Sequence, residues 1–142
     1  YGMIGGQVVD VKETGHAVSR EVLDFIYELK TGALIESSMM IGAILASASD
    51  EDVKKVERIA SNVGFAFQVQ DDILDVTSTR EVLGKPVHSD EKNEKSTTLA
   101  GLEEAGKLVE TASMEAVRLL GELPGENGYL AWLIEKLIHR EK

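Results

Sequence analysis

Gln68, Asp71, Asp72 and Asp75 lie within one short, otherwise apolar stretch, Gly64-Phe65-Ala66-Phe67-Gln68-Val69-Gln70-Asp71-Asp72-Ile73-Leu74-Asp75-Val76. At about 100° per residue of an α-helix, the four fall within an arc of about 100° and form one polar stripe. Like charges that close repel by about 1 kcal/mol per pair at 4 Å in water, and by about 4 kcal/mol at a partly shielded site. A compensating cation is therefore expected among them. Grouped carboxylate oxygens suit a hard divalent ion, and Mg2+ typically takes one or two carboxylates, keeps several waters and binds a substrate phosphate. The alternative is a solvated helix face. Such faces usually carry Lys or Arg one turn from each acid, and none occurs between Gly64 and Val76. The stripe is therefore expected to line a cavity.

Three lysines stand where helical pattern breaks: Lys30 before Thr31-Gly32, Lys85 after Gly84, and Lys95 before Ser96-Thr97-Thr98. Each alone reads as a solvated charge. Together with an acidic metal stripe they suggest a diphosphate clamp, in which Mg2+ bridges carboxylate to phosphate and ammonium groups neutralise the remaining oxygens. His16 and His139 have no partners at ligand spacing and read as surface residues, as does His88, for which a phosphate contact is the alternative.

The elements that must carry these groups are helical throughout. Ile4, Val8 and Val11 are spaced for a helix from Tyr1 to about Val11, with Gly5 and Gly6 allowing another helix to approach closely. A loop around Gly15 follows, then Ser19 as N-cap of a helix through Val22, Leu23, Ile26 and Leu29 to Lys30. Thr31-Gly32 interrupts it. The apolar run from Ala33 to about Ser47 reads as a central buried helix, and Asp50 as the cap of a long helix reaching Val76 or a little beyond, with the acids in its last third. The stretch from Thr77 to Thr98 is least regular, and Pro86 holds Lys85 extended. Leu102, Ala105, Val109, Ala112, Ala116 and Leu119 mark an amphipathic helix. Pro124-Gly125 and Asn127-Gly128 make a turn before a last helix, from Tyr129 to about His139, anchored by Trp132.

The chain is one domain's worth at 142 residues. Its net charge of -10, without a basic cluster, argues against nucleic acid or an anionic membrane surface as partner. With no cysteine there are no disulfides or thiolate zinc sites, which fits a reducing compartment, and a cytoplasmic location is expected. No signal peptide or spanning segment is evident, so no stable membrane anchor is expected. The Gly-rich apolar start, without an initiator Met, reads as cut from something longer.

Gly6-Gln7-Val8-Val9-Asp10, Lys30-Thr31-Gly32, Phe67-Gln68-Val69-Gln70-Asp71-Asp72-Ile73-Leu74-Asp75 and Gly84-Lys85 with Asp90 and Lys95, in this order, closely resemble the trans-type polyprenyl diphosphate synthases, the bacterial farnesyl diphosphate synthases and their geranylgeranyl relatives in particular. The resemblance covers essentially the whole chain. It departs from the family pattern at His88, which stands where the loop after Gly84-Lys85 commonly has a second glycine. It implies an all-α helical bundle of the isoprenoid synthase type, of which residues 1–142 would be the C-terminal half, carrying the second of two aspartate-rich motifs. The first motif and the basic pocket for isopentenyl diphosphate would lie upstream, so the chain alone is expected to be inactive.

What the resemblance implies for chemistry is condensation of an allylic diphosphate with isopentenyl diphosphate. Asp71, Asp72 and Asp75 would hold Mg2+ on the allylic diphosphate, with Lys30, Lys85 and Lys95 on the same group. The Thr31 hydroxyl, the Lys30 carbonyl and the Gln68 amide would stabilise the allylic cation. Gln7 and Asp10 would line the cavity, and Phe67 would border the homoallylic substrate. The full-length enzyme would be a homodimer, and its product farnesyl rather than geranylgeranyl diphosphate. Two other readings stand: a terpene cyclase, which shares a helical cavity and an acidic motif, and a noncatalytic regulatory subunit of a partner synthase.

Overall fold

A computed structural model of the protein describes residues 2–83 and 96–139, and side-chain surroundings for 2–77 and 101–139. Lys85, Lys95, His88 and Asp90 lie outside the described residues. The described chain is helical, with no strand: α1 (Gly2–Glu13), α2 (Arg20–Tyr27), a π-helical turn (Glu28–Gly32), α3 (Ala33–Leu45), α4 (Asp50–Leu83), α5 (Ser96–Leu120) and α6 (Gly128–Ile138).

The core follows from spacing on α4 and α5. Val56, Ile59, Ala60, Val63, Ala66 and Val69 recur every three to four residues on α4, and all are buried. Ile59, Val63, Ala66 and Val69 share one core with Ala105, Val109, Ala112, Ala116 and Leu119 of α5, also buried, as the amphipathic pattern predicts. The small Ala side chains bring the helices close, and Leu120, Ile134 and Ile138 close the end where α6 folds back. Asn127 donates from Nδ2 to the carbonyls of Leu120 and Leu123 at 3.0 Å, satisfying groups left over at the end of α5. Gly101 has φ 77°, a left-handed conformation costly for other residues, and breaks α5 just before the patterned run that starts at Leu102.

Helix starts are set by local chemistry. Ser19 accepts a hydrogen bond from the Val22 amide and caps α2 as expected. At α4 the cap is Ser49 rather than Asp50: its Oγ accepts from the Asp52 amide at 3.1 Å and donates to the Asp52 carboxylate at 2.7 Å. This is a serine N-cap whose hydroxyl is itself steered by the carboxylate three residues on. Asp50 is instead the first helical residue, adding negative charge at the positive end of the helix. α4 continues past Val76 to Leu83 because nothing between Thr77 and Leu83 breaks a helix. Its 34 residues span about 50 Å.

Two expectations about burial are corrected. α3, expected to be a central buried helix, has no fully buried residue, and Leu34, Ile41, Ile44 and Leu45 are all more than half exposed. It packs on α4 and the π turn through one side only, with Ile35 and Met39 against the core. Trp132 is 51% exposed and stacks on exposed Tyr129 at 5.8 Å, so it does not anchor α6; Ile134 and Ile138 do. α1 likewise turns Ile4, Val8 and Val11 outward.

Where α3 meets α4, Glu36 is partly buried near Glu57 and Glu28; desolvation first and these like charges second push its carboxyl above the usual glutamate value of 4.5. A raised folded-state value means that Glu36's favourable contribution is complete below pH 4.5 and is lost as pH rises through the folded value. Glu36→Gln is therefore expected to raise the urea midpoint at neutral pH and leave it unchanged below pH 4.5. Urea melts at the two pH values check this.

Candidate functional site

Two backbone crossings hold the site together, each made possible by a missing side chain. α1 lies on the π turn so closely that a Cβ on Gly6 would fall 2.5 Å from the Lys30 amide nitrogen and 2.8 Å from the Leu29 carbonyl carbon. The π turn lies on α4 in the same way: a Cβ on Gly64 would fall 2.8 Å from the Gly32 Cα. Gly32 itself is buried, and a Cβ there would meet the Tyr27 carbonyl oxygen at 3.1 Å. Thr31-Gly32 is thus not an interruption between two helices. One helical path runs from α2 into α3, widened by a π turn, and that insertion turns Lys30 and Thr31 out of the register an unbroken α-helix would give them.

At the first crossing the Lys30 ammonium donates to Asp10 Oδ2 at 2.6 Å, both side chains about one-third exposed. The structure therefore brings together two predicted residues with the whole of α2 between them in sequence. Gln7, one turn earlier, is exposed, and Thr31 is half-buried.

At the second crossing, Gly64 sets the direction of everything beyond it on α4. By the 100° step, Asp71 and Asp75 lie within about 20° of the Gly64 direction, Gln68 about 40° away and Asp72 about 80° away. Asp71 and Asp75 sit about 10 and 16 Å further along the axis. Gln68 is 9% exposed and Asp72 5%; Asp71 is half-buried and Asp75 exposed. Phe67, beside Gln68, is half-buried.

The three aspartates are therefore not equivalent in their surroundings. Asp72 accepts a hydrogen bond from the buried Tyr27 hydroxyl on α2. Among the described residues, no three acid or imidazole side chains gather closely enough to hold a metal ion by themselves. What the helix presents in the Gly64 direction is a pair, Asp71 and Asp75, one turn apart. Two oxygen ligands from protein, with the remaining positions left to water and phosphate, fit a Mg2+ site.

Tyr27, Gly32 and Gly64 were not legible as site residues. A signal for Tyr27 existed in the buried face Leu23-Ile26-Tyr27: an aromatic hydroxyl carried into a core needs a polar partner. Behind Tyr27 a cleft of about 300 Å3 opens between α2 and α4, lined by Arg20, Asp24, Glu28, Ser61 and Phe65.

Residues 1–117 match the family model for polyprenyl synthetase. The farnesyl diphosphate synthase of Bacillus subtilis is 39% identical over 99% of the chain, which covers 48% of that protein. The chloroplastic geranylgeranyl pyrophosphate synthase of Capsicum annuum is 46% identical over 84% of the chain and 33% of its own length. Among solved structures, a geranyltransferase from Helicobacter pylori complexed with magnesium and isoprenyl diphosphate superposes with a TM-score of 0.71 at 33% identity, covering 96% of this chain and 46% of that one. The chain spans less than half the length of these relatives. A helical fold shared with solved prenyl synthases and a family match across both crossings and the acidic stripe lead to one assignment: the chain belongs to the polyprenyl synthetase family.

Proposed function

We propose that this chain is the C-terminal half of a trans-prenyltransferase that condenses an allylic diphosphate with isopentenyl diphosphate to a short-chain prenyl diphosphate, farnesyl or similar. The observation that carries the reading is the crossing of the π turn over Gly64: it joins Lys30 and Thr31 to the helix face that bears Gln68, Asp71 and Asp75. A cation and two polar oxygens at a turn that crosses the helix bearing the paired carboxylates suit a diphosphate leaving group.

In this reading Asp71 and Asp75 hold Mg2+, which when bound neutralises charge on the departing diphosphate. Lys30, kept in place by Asp10, faces the same diphosphate; Lys85 and Lys95 complete the clamp. Charge that develops on the leaving oxygens meets ammonium groups already positioned, so little reorganisation is needed when the C–O bond breaks. The Thr31 hydroxyl, the Lys30 carbonyl and the Gln68 amide oxygen turn dipoles toward the allylic cation. Gln7 and Asp10 border the cavity and Phe67 the homoallylic substrate. The released diphosphate can accept the final proton, so no side chain of this chain is needed as base.

The exposed apolar faces of α1 and α3 are where the other half of a cytoplasmic, homodimeric synthase would pack, and it would bring the first aspartate motif and the isopentenyl diphosphate pocket. The test is to incubate allylic diphosphate, isopentenyl diphosphate and Mg2+ with the complete protein and, separately, with residues 1–142. Linear elongated product from the complete protein and none from the 142-residue chain is expected. Turnover by the 142-residue chain alone would refute the division of labour, and cyclic hydrocarbon from the allylic diphosphate alone would refute the reaction class.

A further inference from the structure

We infer that Tyr27 is a positioning residue for the acidic stripe: through Asp72 it fixes the rotation of α4, so that Asp71 and Asp75 are presented together to the magnesium diphosphate. The inference rests on the functional reading above and adds to it a residue outside the acidic motif.

Tyr27 is 6% exposed and Asp72 5%, and the phenol hydroxyl donates to Asp72 Oδ2 across 45 positions of sequence. A buried carboxylate and a buried hydroxyl each lose hydration, so each gains most from a partner of fixed geometry. The phenol is itself held. Its ring meets the Phe65 ring edge-on, with centroids 6.4 Å apart at 69°. Its backbone carbonyl sits one π turn before Gly32, where a Cβ would stand 3.1 Å from it.

Phe65 and Asp72 are seven residues apart, two turns of α4, and so lie on one side of it. Tyr27 touches both, which gives α4 two points of attachment on that side. The Gly64 crossing gives a third, about 100° away from Phe65 around the axis. With three attachments the helix cannot rotate about its own axis without breaking one of them. Asp71 and Asp75 flank the Gly64 direction, so their aim is set by that rotation. Removing the Tyr27 hydroxyl takes away one of the contacts that fix Asp72, and with it one of the three attachments that set the aim of the pair.

The test compares wild type, Tyr27→Phe, Asp72→Ala and the double variant in the complete protein. The first readout is the rise in melting temperature as Mg2+ is titrated in with inorganic pyrophosphate. Tyr27→Phe is expected to need about tenfold more Mg2+ for half of the rise, the lower end of the loss seen when a residue that supports a metal site from outside its ligands is removed. In the Asp72→Ala background, Tyr27→Phe should add nothing. The second readout is kcat, expected to fall about tenfold while KM for isopentenyl diphosphate is unchanged. A lowered melting temperature with an unaltered Mg2+ midpoint would overturn the inference and leave Tyr27 a core residue. So would equal effects of Tyr27→Phe in both backgrounds. Absence of prenyl elongation by the wild type would instead refute the functional reading itself.

Discussion

Asp71→Ala in the complete protein is expected to lower kcat for prenyl elongation by about 10²- to 10³-fold, the usual cost of removing one preorganised electrostatic contact to a transition state. Glu57→Ala, on the same helix but in the acidic group near Glu36, should change it by less than about twofold. The contrast matters because both substitutions remove one negative charge from α4. Asp71 lies within about 20° of the Gly64 direction and about two turns past the crossing, on the stretch to which the proposed function assigns the magnesium diphosphate. Glu57 lies about two turns before it. Steady-state kinetics at saturating Mg2+ separate the two, and equal losses would count against a metal role for Asp71.

Gly64→Ala is the second large effect, and it acts through the backbone. The new methyl would sit 2.8 Å from the Gly32 Cα, and neither side of the contact is a flexible side chain that can move away. Overpacking of this kind costs about 1–3 kcal/mol. In a chain of this size that is a fall in melting temperature of about 3–12 °C. Activity should fall further than stability explains, because pushing the π turn off α4 displaces Lys30 and Thr31 relative to Gln68 and Asp71. A misplacement of about 1 Å is enough to cost about a hundredfold. Gly106→Ala on α5 is the matched control: nothing lies within 4 Å of its would-be Cβ. There the same change should stabilise by about 0.5–1 kcal/mol, as helix propensity alone dictates. Calorimetry on both variants, with kinetics on Gly64→Ala, decides the matter. An unaltered melting temperature for Gly64→Ala would mean that the crossing is not as close as described.

How much of this was legible beforehand depended on whether the information was local. The α4–α5 core was readable because Ala105, Val109, Ala112, Ala116 and Leu119 repeat at helical spacing, and spacing is a property of one segment. Ser19 was readable as a cap for the same reason. The acidic stripe was readable as an arc on a helix, but not its partition into a buried Asp72 and a more exposed pair, because the deciding partner, Tyr27, is 45 positions away. The π turn was read as an interruption: Thr31-Gly32 looks like a stop signal in one dimension, and only the contact with Gly64 shows why a glycine is needed there. Gly6 was read correctly as a site of close approach, although what approaches it, the Lys30 backbone, was not. Composition misled in two places. An apolar segment is expected to be buried, yet α3 leaves Leu34, Ile41 and Ile44 more than half exposed, and Trp132 stands outside the core that Ile134 and Ile138 enter. In α3 the hydrophobic character marks a surface that another element would cover in the proposed complete synthase, and one chain's pattern cannot tell such a surface from its own core.

The central claim is that Asp71 and Asp75, aimed by the Gly64 crossing, and Lys30, turned out by the π turn, converge on one magnesium diphosphate. The most direct measurement is a crystal structure of the complete protein with Mn2+ in place of Mg2+ and inorganic pyrophosphate, the metal located by its anomalous signal. The account predicts a metal ion about 2.1 Å from a carboxylate oxygen of Asp71 or Asp75, its pyrophosphate within hydrogen-bonding distance of Lys30 Nζ. A pyrophosphate-bound metal seated elsewhere, with Asp71 and Asp75 both solvated and Lys30 still paired only with Asp10, would contradict it.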